Sequence, residues 1–151
     1  MRKIALYGTL AAVLATLAHV LHGISHVEHR VPLAMWQWVY VIFVILLAPV
    51  VAAVLLWTLL TRVGAGLLLA SMAGALIFGL AFHFLVSGPD NIFTLHPGVG
   101  REVFRFSAAL VALTEALGCV AGLWVLSKLP RSEEGVVKTV KPRRSSREEV
   151  R

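Results

Sequence analysis

Four apolar stretches dominate the 151-residue chain and leave it few ways to fold. They cover roughly residues 4–27, 35–60, 65–87 and 104–127, and crossing a hydrocarbon core takes about 20 helical residues. Hydrophobic residues make up 58% of the chain and charged residues only 15%, which is too apolar for an ordinary soluble domain. The sequence therefore predicts an all-α integral membrane protein, with a four-helix bundle over residues 1–128 surrounded by lipid.

Basic residues are divided unequally between the two predicted sides of this bundle. One side has only Arg30, Arg101 and Arg105. The other side has Arg2, Lys3, Arg62, Lys128, Arg131, Lys138, Lys141, Arg143, Arg144, Arg147 and Arg151. Because Lys and Arg collect on the cytoplasmic side, we expect a multi-pass protein of the cell membrane with both termini cytoplasmic and loops 28–34 and 88–103 outside. The net charge of +6 then reflects topology, and no nucleic-acid partner is expected.

The two ends of the chain differ from the spans. Residues 129–151 are polar, mixed in charge and interrupted by Pro130 and Pro142, which predicts a disordered basic cytoplasmic tail. Residues 1–18 have the basic start and apolar stretch of a signal peptide as well as of a first span. The apolar pattern continues through Val20, Leu21 and Ile24, which favours an uncleaved first span.

The stretch AHVLHGISHVEH, residues 18–29, places His19, His22, His26 and His29 at spacings of 3, 4 and 3. Residues three and four apart share one face of a helix, so the four imidazoles form a single stripe. Small residues, including Ala15, continue the stripe towards the N-terminus. Because membrane helices approach closely along small-residue faces, these histidines are expected to face another helix.

The third and fourth spans repeat this arrangement, with His83 and Glu115 as the polar members. The small residues on the same faces are Ser71, Ala75 and Gly79 in the third span, and Ala108, Ala112, Gly118 or Cys119, and Gly122 in the fourth. A lipid-facing ionisable group is costly, so both side chains are predicted to point into the bundle. The second span, with Pro49 at its middle, offers no ionisable residue and is predicted to form a wall.

Depth along the helices separates these polar residues into two layers. With a rise of about 1.5 Å per residue, His22, His26 and His83 lie in roughly the outer 8 Å. On the same scale, His19 and Glu115 lie roughly 12 to 17 Å down. The sequence thus predicts one layer of three imidazoles with a second polar layer beneath it.

The loop SGPDNIFTLHPGVGRE, rich in turn residues, is expected to fold over these layers. Five polar residues are expected nearer the outer surface: Glu28, His29, Asp90, His96 and Glu102. At the opposite end, Gly64 and Gly66 follow Arg62 and predict a tight inner hairpin at that point.

Neutral imidazole binds zinc, copper, iron and nickel, and a carboxylate can complete the ligand set. The candidate metal ligands are His19, His22, His26, His83 and Glu115. His22 and His26, at positions i and i+4, can reach one ion together. The sequence therefore favours a transition-metal site, with zinc, copper or iron unresolved, in the outer half of the bundle.

Three other interpretations stay open at this stage. His83 paired with His22 or His19 could hold a haem b for electron transfer. An ion or proton pathway could run along the histidine stripe, although the inner half offers no comparable polar steps. The histidines could also only pack helices or contact a partner in a non-enzymatic membrane subunit, and a small-residue face could support a homo-oligomer or a membrane protein partner.

Catalytic motifs give no support for a particular reaction. The sequence has no phosphate loop and no GxSxG elbow, so whether the protein is an enzyme stays undecided. Cys119 is the only cysteine, which excludes an intramolecular disulfide and a CxxC redox site.

Overall fold

The computed structural model describes residues 2–129 and consists of four long helices. These are α1 (Arg2–Glu28), α2 (Met35–Leu55), α3 (Thr61–Leu85) and α4 (Arg101–Lys128). By length and composition each of them could cross a membrane. The predicted all-helical chain with four membrane-capable helices is confirmed, whereas the predicted tail after Leu129 lies outside the described residues.

The four helices pack in a ring, α1 against α4, α4 against α3, α3 against α2 and α2 against α1. Small residues allow this close approach. A Cβ atom added to Gly118 of α4 would lie only 2.7 Å from the Met72 sulfur of α3, and one added to Gly122 would lie 3.0 Å from Leu69 Cβ. The buried alanines of α1 are Ala5, Ala12, Ala15 and Ala18.

Large apolar side chains cover the outside of the ring. In the most apolar window of each helix, at most 33% of the residues are buried inside the protein. Leu17, Val54 and Ile77 are among the exposed side chains, each more than half accessible. An apolar surface of this extent is typical of helices whose solvent is lipid.

The turn between α2 and α3 lies at residues 56–60, before Arg62. Threonine side chains stabilise it, since Thr58 Oγ1 accepts a hydrogen bond from the Leu60 amide and Thr61 Oγ1 donates one to the Thr58 carbonyl. The hairpin predicted at Gly64 and Gly66 is therefore wrong, because both glycines lie inside α3. Gly64 is a packing position instead of a turn.

Two helices contain a wider π-helical segment, Val41–Leu47 in α2 and Ala81–Leu85 in α3. In α2 the segment ends at Leu47, two residues before Pro49. In a regular α-helix the proline ring would clash with the carbonyl group four residues earlier. In α3 the segment contains His83 and ends the helix. Single π turns of this kind occur often at functional sites.

A left-handed residue follows the C-terminal end of α1. Arg30 has φ of +56°, its amide donates to the Val27 carbonyl at 3.2 Å, and the Val31 amide donates to the His26 carbonyl at 2.9 Å. This pair of bonds is a Schellman motif. It turns the chain back so that Val31 is buried beside the last turn of α1.

Candidate metal centre

Three imidazoles meet at the end of the bundle where α1 and α3 end. His22 and His26 come from successive turns of α1, and His83 comes from the last turn of α3. The Nε2 atom of His22 lies 3.1 Å from Nε2 of His83 and 3.2 Å from Nε2 of His26. The structure thus brings together the three residues that the sequence placed in one layer.

Asp90 is the fourth member of this cluster. After α3 the chain turns back, and the Ile92 amide donates to the His83 carbonyl at 2.9 Å. This return places Asp90 Oδ1 3.2 Å from His26 Nε2 and 3.2 Å from His83 Nδ1. The expectation that Asp90 lies near the outer surface is wrong, because the loop folds inward and buries it to 6% exposure.

His19 and Glu115 form a separate pair. Nε2 of His19 lies 3.0 Å from Oε1 of Glu115, whose side chain is fully buried. Gly79 separates this pair from the cluster, since a Cβ atom there would lie 3.6 Å from Glu115 Oε2 and 3.8 Å from His83 Cδ2. Of the five predicted ligands, three lie in the cluster and two lie beside it, and metal binding by any of them stays a prediction.

One ligand atom from each of His22, His26, His83 and Asp90 lies within 4.8 Å of the others, so the group could hold a metal ion. A tetrahedral site with metal bonds of about 2.0–2.1 Å has ligand atoms about 3.3 Å apart. The separations of 3.1 and 3.2 Å in the cluster are close to that value. Three of the six separations that a four-coordinate ion requires are thus close to the tetrahedral value, and all four ligand atoms lie within 4.8 Å of one another.

Hydrogen bonds fix the orientation of the His22 ring. The Ser107 hydroxyl donates to the Phe104 carbonyl at 3.0 Å, so its oxygen is left to accept from His22 Nδ1, 2.9 Å away. This places the ring proton of neutral His22 on Nδ1 and the lone pair on Nε2, facing the cluster. Ser25 supports the same turn by donating to the His22 carbonyl at 2.6 Å.

The same tautomer follows for the other two rings. His26 Nδ1 lies 3.4 Å from the Val31 carbonyl, and His83 Nδ1 lies 3.1 Å from the Asp90 carbonyl. Carbonyl oxygens only accept, so both Nδ1 atoms carry the proton. A histidine that binds a metal through one ring nitrogen usually donates a hydrogen bond from the other ring nitrogen.

The Nε2 lone pairs of His22, His26 and His83 therefore point towards one another. Among residues 2–129 no hydrogen-bond donor lies between them. In the described part of the chain, the two carboxylate oxygens of Asp90 are also buried without a hydrogen-bond partner, although Oδ1 lies 3.2 Å from His26 Nε2 and from His83 Nδ1. Buried acceptors without partners are costly. A cation at the centre would satisfy all four groups together.

An apolar layer packs against the cluster. The Phe104 ring is fully buried, with its centroid 4.8 Å from that of His22 and 4.9 Å from that of His26. Val31 and Leu95 pack on Phe104. As predicted, the loop after α3 folds over the site.

The remaining two histidines lie outside this layer. His96 is exposed. His29 is at the edge of the protein, with Nδ1 3.0 Å from the Val99 carbonyl. Both positions agree with the surface location expected from the sequence.

The sequence signal for Asp90 was weak. It lies seven positions after His83, and only the path of an irregular loop brings the two together. One sequence feature could identify Asp90 as a candidate ligand, because it is the only carboxylate between His83 and Glu102.

Fold and site together define a four-helix, membrane-type protein with a buried His/Asp cluster that could hold a metal ion. Comparisons with protein-family models, with curated proteins and with solved structures gave no match to this chain. Function is therefore argued from the cluster itself.

Proposed function

We propose that the protein is an integral membrane protein that binds one transition-metal ion through His22, His26, His83 and Asp90. The convergence of three Nε2 lone pairs at 3.1 and 3.2 Å carries this proposal. A proton shared between two rings would satisfy one pair only, whereas a metal ion accepts all three lone pairs and the carboxylate. His19 and Glu115 then lie outside the ligand set.

Zinc suits this ligand set best. Three imidazoles and one carboxylate at near-tetrahedral spacing match the four-coordinate geometry of Zn²⁺, and such closed sites are usually structural. Copper and iron also accept imidazole ligands. In this proposal the ion ties α1, α3 and the loop after α3 into one unit.

The ring positions favour a single ion over a haem b. A haem iron between two axial imidazoles would hold their nitrogens roughly twice a metal–nitrogen bond of about 2 Å apart. The two Nε2 atoms of His22 and His83 are only 3.1 Å apart, and their ring planes are nearly perpendicular at 82°. This arrangement leaves no gap for a macrocycle between the two rings.

The proposed location is the cell membrane, with both termini cytoplasmic and the metal cluster near the outer face. Arg2, Arg62 and Lys128 lie at the opposite end of the helices from Arg30 and the start of α4. The excess of basic residues at the first end supports a cytoplasmic position for it.

Metal analysis of matched variants tests the proposal. Protein purified without chelator is expected to carry about one ion per chain and to show no Soret band. His26→Ala should lower metal affinity by at least about 10–100-fold and reduce the melting temperature in the same detergent. His29→Ala, three residues after His26 and just beyond the end of α1, is the matched control and should change neither quantity.

The second part of this experiment compares variants of two carboxylates. Asp90→Asn should release metal, while Glu115→Gln should retain it, because only Asp90 lies within the ligand group. Equal metal content in the His26 and His29 variants, with no loss of stability in either, would contradict the proposed site. Absence of metal from the wild-type protein would leave helix packing as the function of the histidines.

A further inference from the structure

A cavity of about 190 Å³ lies beside the metal cluster, between α1, α2 and α3. Its polar lining consists of His26, His83 and Asp90 from the metal cluster and of the separate pair His19 and Glu115. Its middle is apolar, with Ile45, Ala75, Phe78, Gly79 and Val111 among the lining residues. An apolar cavity of about 150 Å³ is enough to bind benzene, so this one has room for a single aromatic ring.

Glu115 gives this cavity an acceptor that lacks a donor. Its side chain is fully buried, and only Oε1 lies near His19 Nε2. Among residues 2–129 no group donates a hydrogen bond to Oε2, which lies 3.6 Å from where a Gly79 Cβ would be. Glu115 is among the residues that line the cavity, and both of its carboxylate oxygens are buried without a hydrogen-bond partner in the part of the chain that the structure describes. A ligand that donates a hydrogen bond would satisfy it.

The edge of the cavity lies on the lipid-facing side of the bundle. Val20 and Gly23 of α1 and Trp38 of α2 line the cavity and are exposed on the outer surface. A Cβ atom at Gly23 would meet nothing within 4 Å. The opening therefore faces sideways, between the outer halves of α1 and α2, where the surrounding medium is hydrocarbon.

We propose that this cavity binds a lipid-soluble aromatic alcohol, a molecule of the phenol or quinol type, that enters between α1 and α2. Its ring occupies the apolar middle beside Phe78, and its hydroxyl donates a hydrogen bond to Glu115 Oε2. This site goes beyond metal binding, since its hydrogen bond is to Glu115, although three proposed metal ligands also line the cavity.

Two fluorinated probes of nearly equal size test the donor contact. Binding of 4-fluorophenol and of fluorobenzene to the full-length protein in detergent is measured by ¹⁹F NMR. Hydrogen bonds to charged groups correspond to roughly a ten- to hundredfold change in affinity, so the phenol should bind more tightly by about that factor. Glu115→Gln should reduce this preference by about tenfold without altering fluorobenzene binding.

Two glycine variants test the route of entry. Gly23→Leu should fill the opening and weaken both probes at least tenfold. Gly66→Leu, at a helical glycine of α3 that also has nothing within 4 Å of its Cβ position, should leave both unchanged. Melting curves confirm that each variant is folded.

Binding of the two probes is measured with metal-loaded and with chelator-treated protein. Absence of the metal site and absence of the cavity site therefore give different results. Equal affinities for the two probes in wild-type protein, or binding of neither, would overturn the proposal. Unchanged binding in a folded Gly23→Leu variant would overturn entry between α1 and α2.

Discussion

At the scale of single residues, the orientation of His22 depends on a serine from another helix. Ser107 of α4 accepts from His22 Nδ1 at 2.9 Å, which directs Nε2 to the cluster. Replacing such a supporting partner of a metal ligand usually costs about 10–100-fold in metal affinity. The hydroxyl is therefore part of the proposed metal centre although it does not touch the ion.

Ser107→Ala is expected to weaken metal binding by about 10–100-fold, because the His22 ring loses the acceptor that fixes its tautomer. Competition with a chromophoric chelator measures this affinity. Ser127→Ala is the matched control, since Ser127 also donates to the carbonyl three residues earlier in α4 but is exposed and distant from the cluster. Equal affinities in the two variants would argue against the proposed orientation of His22.

The sequence was informative about some members of the site and not about others. Helical spacing is enough to place His22 and His26 on one face, and small neighbours indicate that His83 also points inward. Asp90 could not be placed in this way, because no periodicity describes a loop. The sequence correctly predicts that Glu115 lies inside the bundle. Helical spacing cannot decide to which of the two polar layers a carboxylate belongs.

At the scale of secondary structure elements, α2 and α3 are joined so tightly that one glycine decides their distance. A Cβ atom at Gly64 would lie 2.9 Å from the Ala52 carbonyl oxygen and 2.9 Å from Leu55 Cβ. These neighbours belong largely to the backbone of α2, which cannot move aside locally. Close packing along this hairpin therefore requires glycine.

Gly64→Ala is expected to destabilise the protein by about 1–3 kcal/mol, the usual cost of overpacking. Gly66→Ala is the control, because its Cβ position is open and alanine favours the helix, so stability should stay equal or rise by up to about 1 kcal/mol. Thermal unfolding of both variants in one detergent measures the difference. If Gly64→Ala were as stable as Gly66→Ala, the described contact between α2 and α3 would be wrong.

Hydropathy predicts that the four helices exist, but it does not predict the residues at which they begin and end. Long apolar runs identify the four spans because the membrane requires about 20 residues of helix. Gly64 and Gly66 predict the turn between α2 and α3, whereas the turn lies at residues 56–60, because glycines in membrane helices also mark close packing. The π segment at His83 depends on local packing that hydropathy does not describe.

At the scale of the whole molecule, the two ends of the bundle differ in chemistry. The end where α1 and α3 finish contains the histidine cluster and its carboxylate. The opposite end is filled by an apolar cluster that includes Ala5, Leu56 and Val125. Polar side chains thus extend inward from one end as far as Glu115 and are not continued through that cluster. This asymmetry supports a binding site over a pathway across the membrane.

The orientation of this asymmetric bundle is the last prediction. Cysteines are introduced at exposed positions of opposite ends, Thr94 in the loop after α3 and Leu59 in the turn before α3, in a Cys119→Ala background. Because basic residues collect at the end that contains Leu59, an impermeant thiol reagent should label Thr94→Cys in intact cells. It should label Leu59→Cys only after the membrane is opened. The reverse pattern would place the histidine cluster near the cytoplasmic face, whereas labelling of both in intact cells would contradict a membrane-spanning bundle.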